Sequence, residues 1–587
     1  MNPVSEKIWF KLPIEYLEES VVHPLLPTVA ENLELVTSSS EIPSMYSSLL
    51  QPKTDFDHAL IPRIGENYTS DVDFLQQSQE IVQSQTPKTP SVSEGEAKKL
   101  LHIWRDLYEE KSEGSALNAF HDRYGYIEFE RVRFINRMST FMGYWTIMNL
   151  ISPIFSIILP FLFIIAPFVI LRIQSIPISF STYISMLKDL AKSHAIGKTL
   201  TSFENFSVNN LLYVVFTIGM YGLQMYQNCK HCARFYNNIT TVNDHLLTVK
   251  EFVDTSIGNI ETFLKTGKTK SKYLDFCKDA ERRLVVLHEM KQELSGVEKL
   301  DPGVFNVAKK CFDIGYLLKS YYCLHDTAEY KDALGYAISF EAYRAALATI
   351  ADRVSAGVIN YGSFIGNGDV KGTRFVKQAY PAISGGVAND LSLEKNLIIT
   401  GPNASGKTTQ LKTTAINVIF TQQFGVGFYE ACDLAPYTHI HSYLNIPDTS
   451  GRDSLFQAEA RRCKEIIDVI DAVSTGSRHF CIFDELFSGT NAEEATSASY
   501  GFLKYLQKHE NVDFILTTHF VKLCKKVKKS AGLRIANYKM DAKLGCAEGR
   551  NNDIQFSYKL VKGISKIKAA KLILMQMGFP EEIIKNL

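Results

Sequence analysis

Net charge is the first thing this sequence lacks. Its 63 lysines and arginines are matched by 63 aspartates and glutamates over 587 residues, so no global basic field marks a chain that lives on nucleic acid by charge alone; any nucleic-acid contact is local. A disulfide framework is also missing, because ten cysteines lie scattered through a long chain rather than at framework spacings. The opening MNPVSEKIWFKLPIEYLEES has no basic start followed by an apolar core, and so no secretory signal. The expectation is an unsecreted protein with reduced thiols. Cys229-Lys-His-Cys232 has no second Cys/His pair; it is half a zinc site, and an ordinary reduced pair is favoured.

Charge is absent in a second, local sense. Between Arg137 and Arg172 lie 34 consecutive residues without a charged side chain, long enough to cross a hydrocarbon core that needs about 20 apolar residues as a helix. A second uncharged run spans Asn205 to Cys229. The two runs predict a transmembrane hairpin with a connecting loop over 141–229, and hence membrane lipid as a partner. Pro153, Pro160 and Pro167 recur every seven residues in the first run, predicting a kinked or broken helix. Arg131, Arg133 and Arg137 precede the hairpin, and Lys230 and Arg234 follow it, so basic residues flank both outer ends. An even number of spans places the N-terminal region and the C-terminal domain together, facing the cytosol. Few ionisable groups lie within the runs, which argues against a transporter.

The rest has a globular composition, 45% apolar and 21% charged, and its length suggests roughly three to four units. Residues 1–96 are polar, with a Ser/Gln/Thr/Pro-rich tract from Gln77 to Glu94 that predicts a largely disordered region. Residues 97–140 suit amphipathic helices, and 230–365 alternate apolar and charged positions at helical spacing, predicting a helical domain. From about 366 short β-like runs alternate with helices, which indicates an α/β sheet.

Three apolar runs carry the chemistry. NLIIT (Asn396 to Thr400) leads directly into Gly401-Pro402-Asn403-Ala404-Ser405-Gly406-Lys407-Thr408-Thr409, the pattern of a phosphate-binding loop. Its backbone N–H groups wrap phosphates, Lys407 reaches the β- and γ-phosphates, Thr408 can ligate Mg²⁺, and the following helix turns its positive end to the anion. HFCIF ends in Asp484-Glu485. A carboxylate there can hold the Mg²⁺ shell while its neighbour orients the attacking water, and these roles fall to Asp484 and Glu485. DFILT ends in Thr518-His519, where an imidazole can sense the γ-phosphate. Lys522, Lys525, Lys526, Lys528 and Lys529 follow as a basic cluster, suited equally to phosphates, anionic lipid or water.

In this order the motifs resemble the ATPase domain of the MutS family, the mismatch-repair branch of the ABC-type ATPases, over roughly Phe375 to Leu587. TGPNASGKTT, including Asn403, is similar to the family's phosphate loop; CIFDELFSGTNAEEA and LTTHF resemble its carboxylate and histidine strands. Asp453 to Glu459 sits where the family has its Ser-Thr-Phe-x-x-Glu signature, with Arg452, Leu455 and Glu494-Ala495 as departures. Tyr558-Lys559-Leu560, Gly563 and Met577 to Ile584 are similar to its closing segments. The resemblance implies an ATP hydrolase with Mg²⁺ as cofactor, and Ser454 reaching the γ-phosphate bound by a partner. That partner is a second copy or a related MutS-like subunit. Tyr380 and Val387 stand near the adenine position, and no mismatch-reading wedge is recognisable. The expected architecture is a P-loop NTPase domain of ABC/MutS type, preceded by a helical domain and the two-span hairpin. The function this implies is a dimeric ATP-driven clamp or switch acting on mismatched, branched or otherwise distorted DNA; alternatively, the chain is an ATP-driven membrane scaffold or remodelling protein without nucleic-acid binding.

Overall fold

The structure, a computed structural model, describes residues 4–5, 9–38, 42–85, 92–109, 120–121, 123–191, 208–300, 307–366, 372–444, 446, 454–472, 476–530, 532–547, 550–567 and 579–585. They fall into two compact units. The first comprises 99–257 and 285–334; the second comprises 2–98, 258–284 and 335–587. The sequence predicted one helical domain over 230–365. Instead, 258–284 and 335–365 belong to the unit that holds the α/β sheet.

The first unit is built on long helices. Helix α1 (Ser139–Ile173) runs as one helix through all three prolines, without the break that the sequence allowed. Each proline removes one backbone donor, but a seven-residue spacing is nearly two turns, so the losses fall along one face while the other bonds persist. Helix α2 (Val208–Gly267) contains the second uncharged run and continues well beyond it. The Tyr221 hydroxyl donates to Ser156 O at 2.8 Å, the Asn228 amide donates to Ser156 Oγ, and Cys232 Sγ donates to Leu150 O at 3.5 Å. Cys229 and Cys232 are free thiols. Helix α3 (Val307–Asp326) crosses α1 where two glycines meet: a Cβ on Gly315 would lie 2.3 Å from Gly143 N. No side chain fits that crossing.

Among the described residues one segment, Ser139–Leu159, is long and apolar enough to cross a membrane, rather than the two expected. Much of the apolar surface nearby is exposed, including Ile154, Phe155, Ile158 and Ile170 on α1 and Val215, Phe216 and Ile218 on α2. The connecting segment carries a helix at Phe180–Ala191; 192–207 lie outside the described residues.

In the second unit the expectation of a largely disordered 1–96 is corrected. Helices form at Pro27–Asn32, Met45–Leu50, Asp55–Ile64 and Val72–Ser84, the last running into the Ser/Gln/Thr/Pro-rich tract, of which 86–91 lie outside the described residues. Phe56, Leu60, Ile61 and Ile64, then Phe74, Leu75, Ile81 and Val82, recur at helical spacing and are buried. Their apolar faces are narrow, which is why average composition hides them.

The sheet begins with strand β1 (Asn396–Thr400), followed by helix α4 (Lys407–Phe424), strand β2 (His439–Tyr443), helix α5 (Leu455–Ala472), strand β3 (His479–Asp484), helix α6 (Ala492–Leu506), strand β4 (Val512–Thr518), helix α7 (Val521–Lys529), and strands β5 (Ile535–Ala547) and β6 (Arg550–Lys562). Spatial order is β2-β3-β4-β1-β5-β6. All neighbours are parallel except β5 and β6. β1 is buried along its whole length, as a central parallel strand should be. Register pairs Asp484 with Thr517 and Thr518 with Thr400, so three strands end along one edge of the sheet, where ligands bind in parallel α/β sheets.

Helix α4 is closed in by the N-terminal region. Gln422 Nε2 donates to Thr69 O at 2.9 Å, and Gln423 Nε2 donates to Ile64 O and Asn67 O at 2.9 and 2.8 Å. The Tyr46 hydroxyl donates to Gln423 Oε1 at 2.8 Å. A buried amide deprived of its partners costs about 1–3 kcal/mol. A fragment of residues 366–587 alone should therefore fail to give a cooperative thermal unfolding transition. A soluble fragment that unfolds cooperatively at the temperature of the full chain would contradict this.

Candidate functional site

The site starts at the C-terminal end of β1. Gly406 has φ 89°, a backbone conformation that favours glycine, and a Cβ on Gly401 would lie 2.6 Å from Ser405 Oγ. Ser405 Oγ donates to Pro402 O at 2.8 Å, holding the turn, and Ala404 is left-handed at φ 62°. Asn403, Ala404 and Thr409 are exposed. No side chain caps the N-terminus of α4, so its first N–H groups remain as donors for an anion.

Lys407 is buried, at 6% exposure. Its Nζ donates to Gly401 O and Pro402 O, each at 3.2 Å. Burial lowers its pKa, and the charges of Glu485 and Asp484 oppose that shift. At the end of β3, Asp484 Oδ2 accepts from Thr408 Oγ1 at 2.9 Å, and its Oδ1 accepts from the Thr517 hydroxyl. Glu485 follows in a left-handed conformation, φ 54°; such backbone costs about 1–3 kcal/mol and persists where the surroundings enforce it.

His519 Nε2 lies 2.7 Å from Glu485 Oε1 and 3.1 Å from Lys407 Nζ. One ring nitrogen offers either a hydrogen or a lone pair, so these contacts are alternatives. The hydrogen bond from His519, reinforced by the charges of His519 and Lys407, holds the Glu485 carboxyl below its usual pKa against the effect of burial. Lys407, Thr408, Asp484, Glu485 and His519, drawn from three segments of sequence, thus meet at one edge of the sheet.

Ser454 stands elsewhere. It is exposed at the N-terminus of α5 and exchanges hydrogen bonds with Gln457: Ser454 N donates to Oε1 at 2.9 Å, and Gln457 N donates to Ser454 Oγ at 3.3 Å. Among the described residues no contact joins it to the Lys407 group, while Arg452 and Asp453 lie outside them. Tyr380 is half-buried, with burial pushing its pKa up to about 12, and Val387 is exposed.

Three contributors were given no function of their own in the motif reading, although Glu459 and Tyr558 lie in segments that carry the resemblance. Glu459, at 2% exposure, accepts from Ser488 N at 3.0 Å, Ser488 Oγ at 2.8 Å and Gly489 N at 3.1 Å. It thereby ties α5 to the turn after Glu485. Its signal in the sequence was its place at the end of the signature segment Asp453 to Glu459; its burial was not visible there. Thr517 steadies Asp484. The third is Tyr558, left-handed at φ 52°, whose ring lies 3.3 Å from the place a Cβ on Gly406 would take. The Asn389 amide holds this strand by donating to Tyr558 O at 2.9 Å and accepting from Leu560 N at 2.8 Å.

Thr408 and Asp484 present two hard oxygen donors side by side. That set suits Mg²⁺, which takes one or two protein oxygens and completes its shell with phosphates and water. A glycine-rich loop on a helix N-terminus, this oxygen pair and a second, histidine-held carboxylate at parallel strand ends define a P-loop ATPase-type domain. Consistent with this class, residues 397–587 match the family model described as MutS domain V.

Curated relatives agree over the same third of the chain. The DNA mismatch repair protein MSH3 of Candida albicans is 31% identical over 236 residues, 36% of this chain and 22% of that protein. The DNA mismatch repair protein MutS of Prochlorococcus marinus is 29% identical over 214 residues, 34% and 21% respectively. The Endonuclease MutS2 of Streptococcus uberis is 26% identical over 220 residues, 37% and 26% respectively. The matched region thus spans 21–26% of the length of these relatives.

Proposed function

We propose that the chain is a membrane-anchored ATP hydrolase of MutS type that works as a dimer and acts on mismatched, branched or otherwise distorted DNA. The observation that carries the hydrolase reading is the convergence of Lys407, Thr408, Asp484, Glu485 and His519 at one sheet edge. Phosphoryl transfer needs positioning and charge neutralisation there. The N–H groups of 403–408 surround the phosphates of ATP. Lys407 exchanges its two carbonyl partners for β- and γ-phosphate oxygens. Thr408 and Asp484 hold Mg²⁺, which when bound neutralises phosphate charge. Glu485 orients a water molecule and takes its proton as the water oxygen bonds to the γ-phosphorus and the bond to the bridging β–γ oxygen breaks. His519 holds Glu485 until the γ-phosphate arrives. Tyr558 offers an aromatic surface to the base beside Gly406.

The dimer reading rests on the signature resemblance and on Ser454, which is exposed at a helix N-terminus, a place suited to a phosphate held by a second subunit. The DNA reading draws on the names of the relatives. For the anchor, the supporting observation is the exposed apolar surface of α1 and α2 together with the Ser156 hydrogen bonds, since polar groups in lipid require partners within the protein. On this reading the N-terminal region and the ATPase domain face the cytosol.

Glu485→Gln should retain ATP while turnover falls about 10²–10⁴-fold, the usual contribution of a general base. Equilibrium binding and phosphate release read the two effects separately, and unchanged turnover would remove Glu485 from the mechanism. Membranes containing the full chain should keep it through a carbonate wash; recovery in the supernatant would remove the anchor.

A further inference from the structure

Helix α7, which begins two residues past His519, carries more positive charge than its neighbours neutralise. It reads VKLCKKVKK over nine residues. Leu523, Cys524 and Val527 are buried, and all five lysines are exposed. Lys522 reaches Glu493 at 3.2 Å, and Lys526 Nζ lies 4.2 Å from the centre of the Tyr500 ring. Among the described residues Lys525, Lys528 and Lys529 have no ion-pair partner. Glu494, the acid beside Glu493, is already bound by the Thr490 hydroxyl at 2.7 Å. Lys525 stands three and four residues from Lys528 and Lys529, where like charges repel. The helix dipole favours cations in the last turn, but it leaves their solvent side open to an anion.

We propose that the lysine face of α7 binds the sugar–phosphate backbone of nucleic acid and passes its occupancy to the ATP site. The helix is about 13 Å long, close to the axial rise of roughly four nucleotides along one strand. A lipid surface fits less well, because membrane-surface helices bury an apolar face in the bilayer and the apolar residues of α7 are already committed to the protein core. Transmission has a short path. Val521 N donates to His519 O at 3.0 Å and Phe520 N to Thr518 Oγ1 at 3.0 Å, so the helix start is bound to the strand end that presents His519 to Glu485 and Lys407. The transmission rests on the ATP-hydrolase reading above; the binding surface does not.

The test compares the full chain in detergent with Lys525→Gln/Lys528→Gln/Lys529→Gln and with the corresponding triple arginine variant. Anisotropy of labelled duplex DNA is followed across a salt series, and phosphate release is measured with and without DNA. Each phosphate contact contributes about 0.9 to the log–log salt slope, so the glutamine variant should bind more weakly with a slope shallower by about 2.7. The arginine variant should behave as wild type. Basal ATP turnover should be the same in all three, and a change of turnover caused by DNA should disappear only in the glutamine variant. Equal slopes, or ATP turnover by a wild-type chain that binds no DNA, would overturn the inference. So would binding to phosphatidylserine vesicles in place of DNA. DNA binding with the expected slopes but no ATP turnover would instead sink the hydrolase reading and leave the surface standing.

Discussion

A positive charge at Lys407, only 6% exposed, must be met by negative groups or dipoles, because an uncompensated buried ammonium is too costly to persist. Two loop carbonyls, two carboxylates and an imidazole meet that need, and they come from three separate strand ends. Parallel register supplies them. β1, β3 and β4 are adjacent and end together, so the residues just past each strand are neighbours in space although they are distant in sequence. The same arrangement suits a triphosphate, which presents to the ammonium the negative oxygens that carbonyls imitate. The buried Glu459 extends this order outward by fixing the Ser488–Gly489 turn after Glu485.

The edge of the sheet that gathers Lys407, Asp484, Glu485 and His519 was legible in the sequence because each of its parts is local: an apolar run followed at once by the candidate side chains. Parallel strands buried on both faces read as continuous hydrophobic stretches, and NLIIT, HFCIF and DFILT are such stretches. The N-terminal region was not legible, for a physical reason. Its helices bury narrow apolar faces and complete their hydrogen bonding with Gln422 and Gln423, more than 300 positions away, so polarity averaged along the chain resembles disorder. Division into units was hidden similarly. Residues 258–284 and 335–365 share the helical texture of their neighbours, and only tertiary packing assigns them to the unit of the sheet. Tyr558 and Glu459 were visible as residues, but their use depends on backbone and burial that spacing does not encode.

The two units obey different packing rules. In the sheet unit buried amides and hydroxyls are matched across long sequence separations. In the helical unit Gly143 and Gly315 let backbones approach closely, Ser156 accepts hydrogen bonds across helices, and large apolar residues remain exposed on α1 and α2. Small residues at crossings, internal polar bonds and an apolar exterior are the features that lipid as a solvent favours. The proposed anchor rests on this contrast.

Nucleotide binding at the Lys407 site is tested most directly by equilibrium binding of ATP with Mg²⁺ to the wild-type chain and to Lys407→Ala. Saturable binding by wild type and its loss in the variant, with the thermal unfolding transition retained, is the predicted result. Equal affinity in the two proteins would show that ATP binds elsewhere and would contradict the assignment of the site.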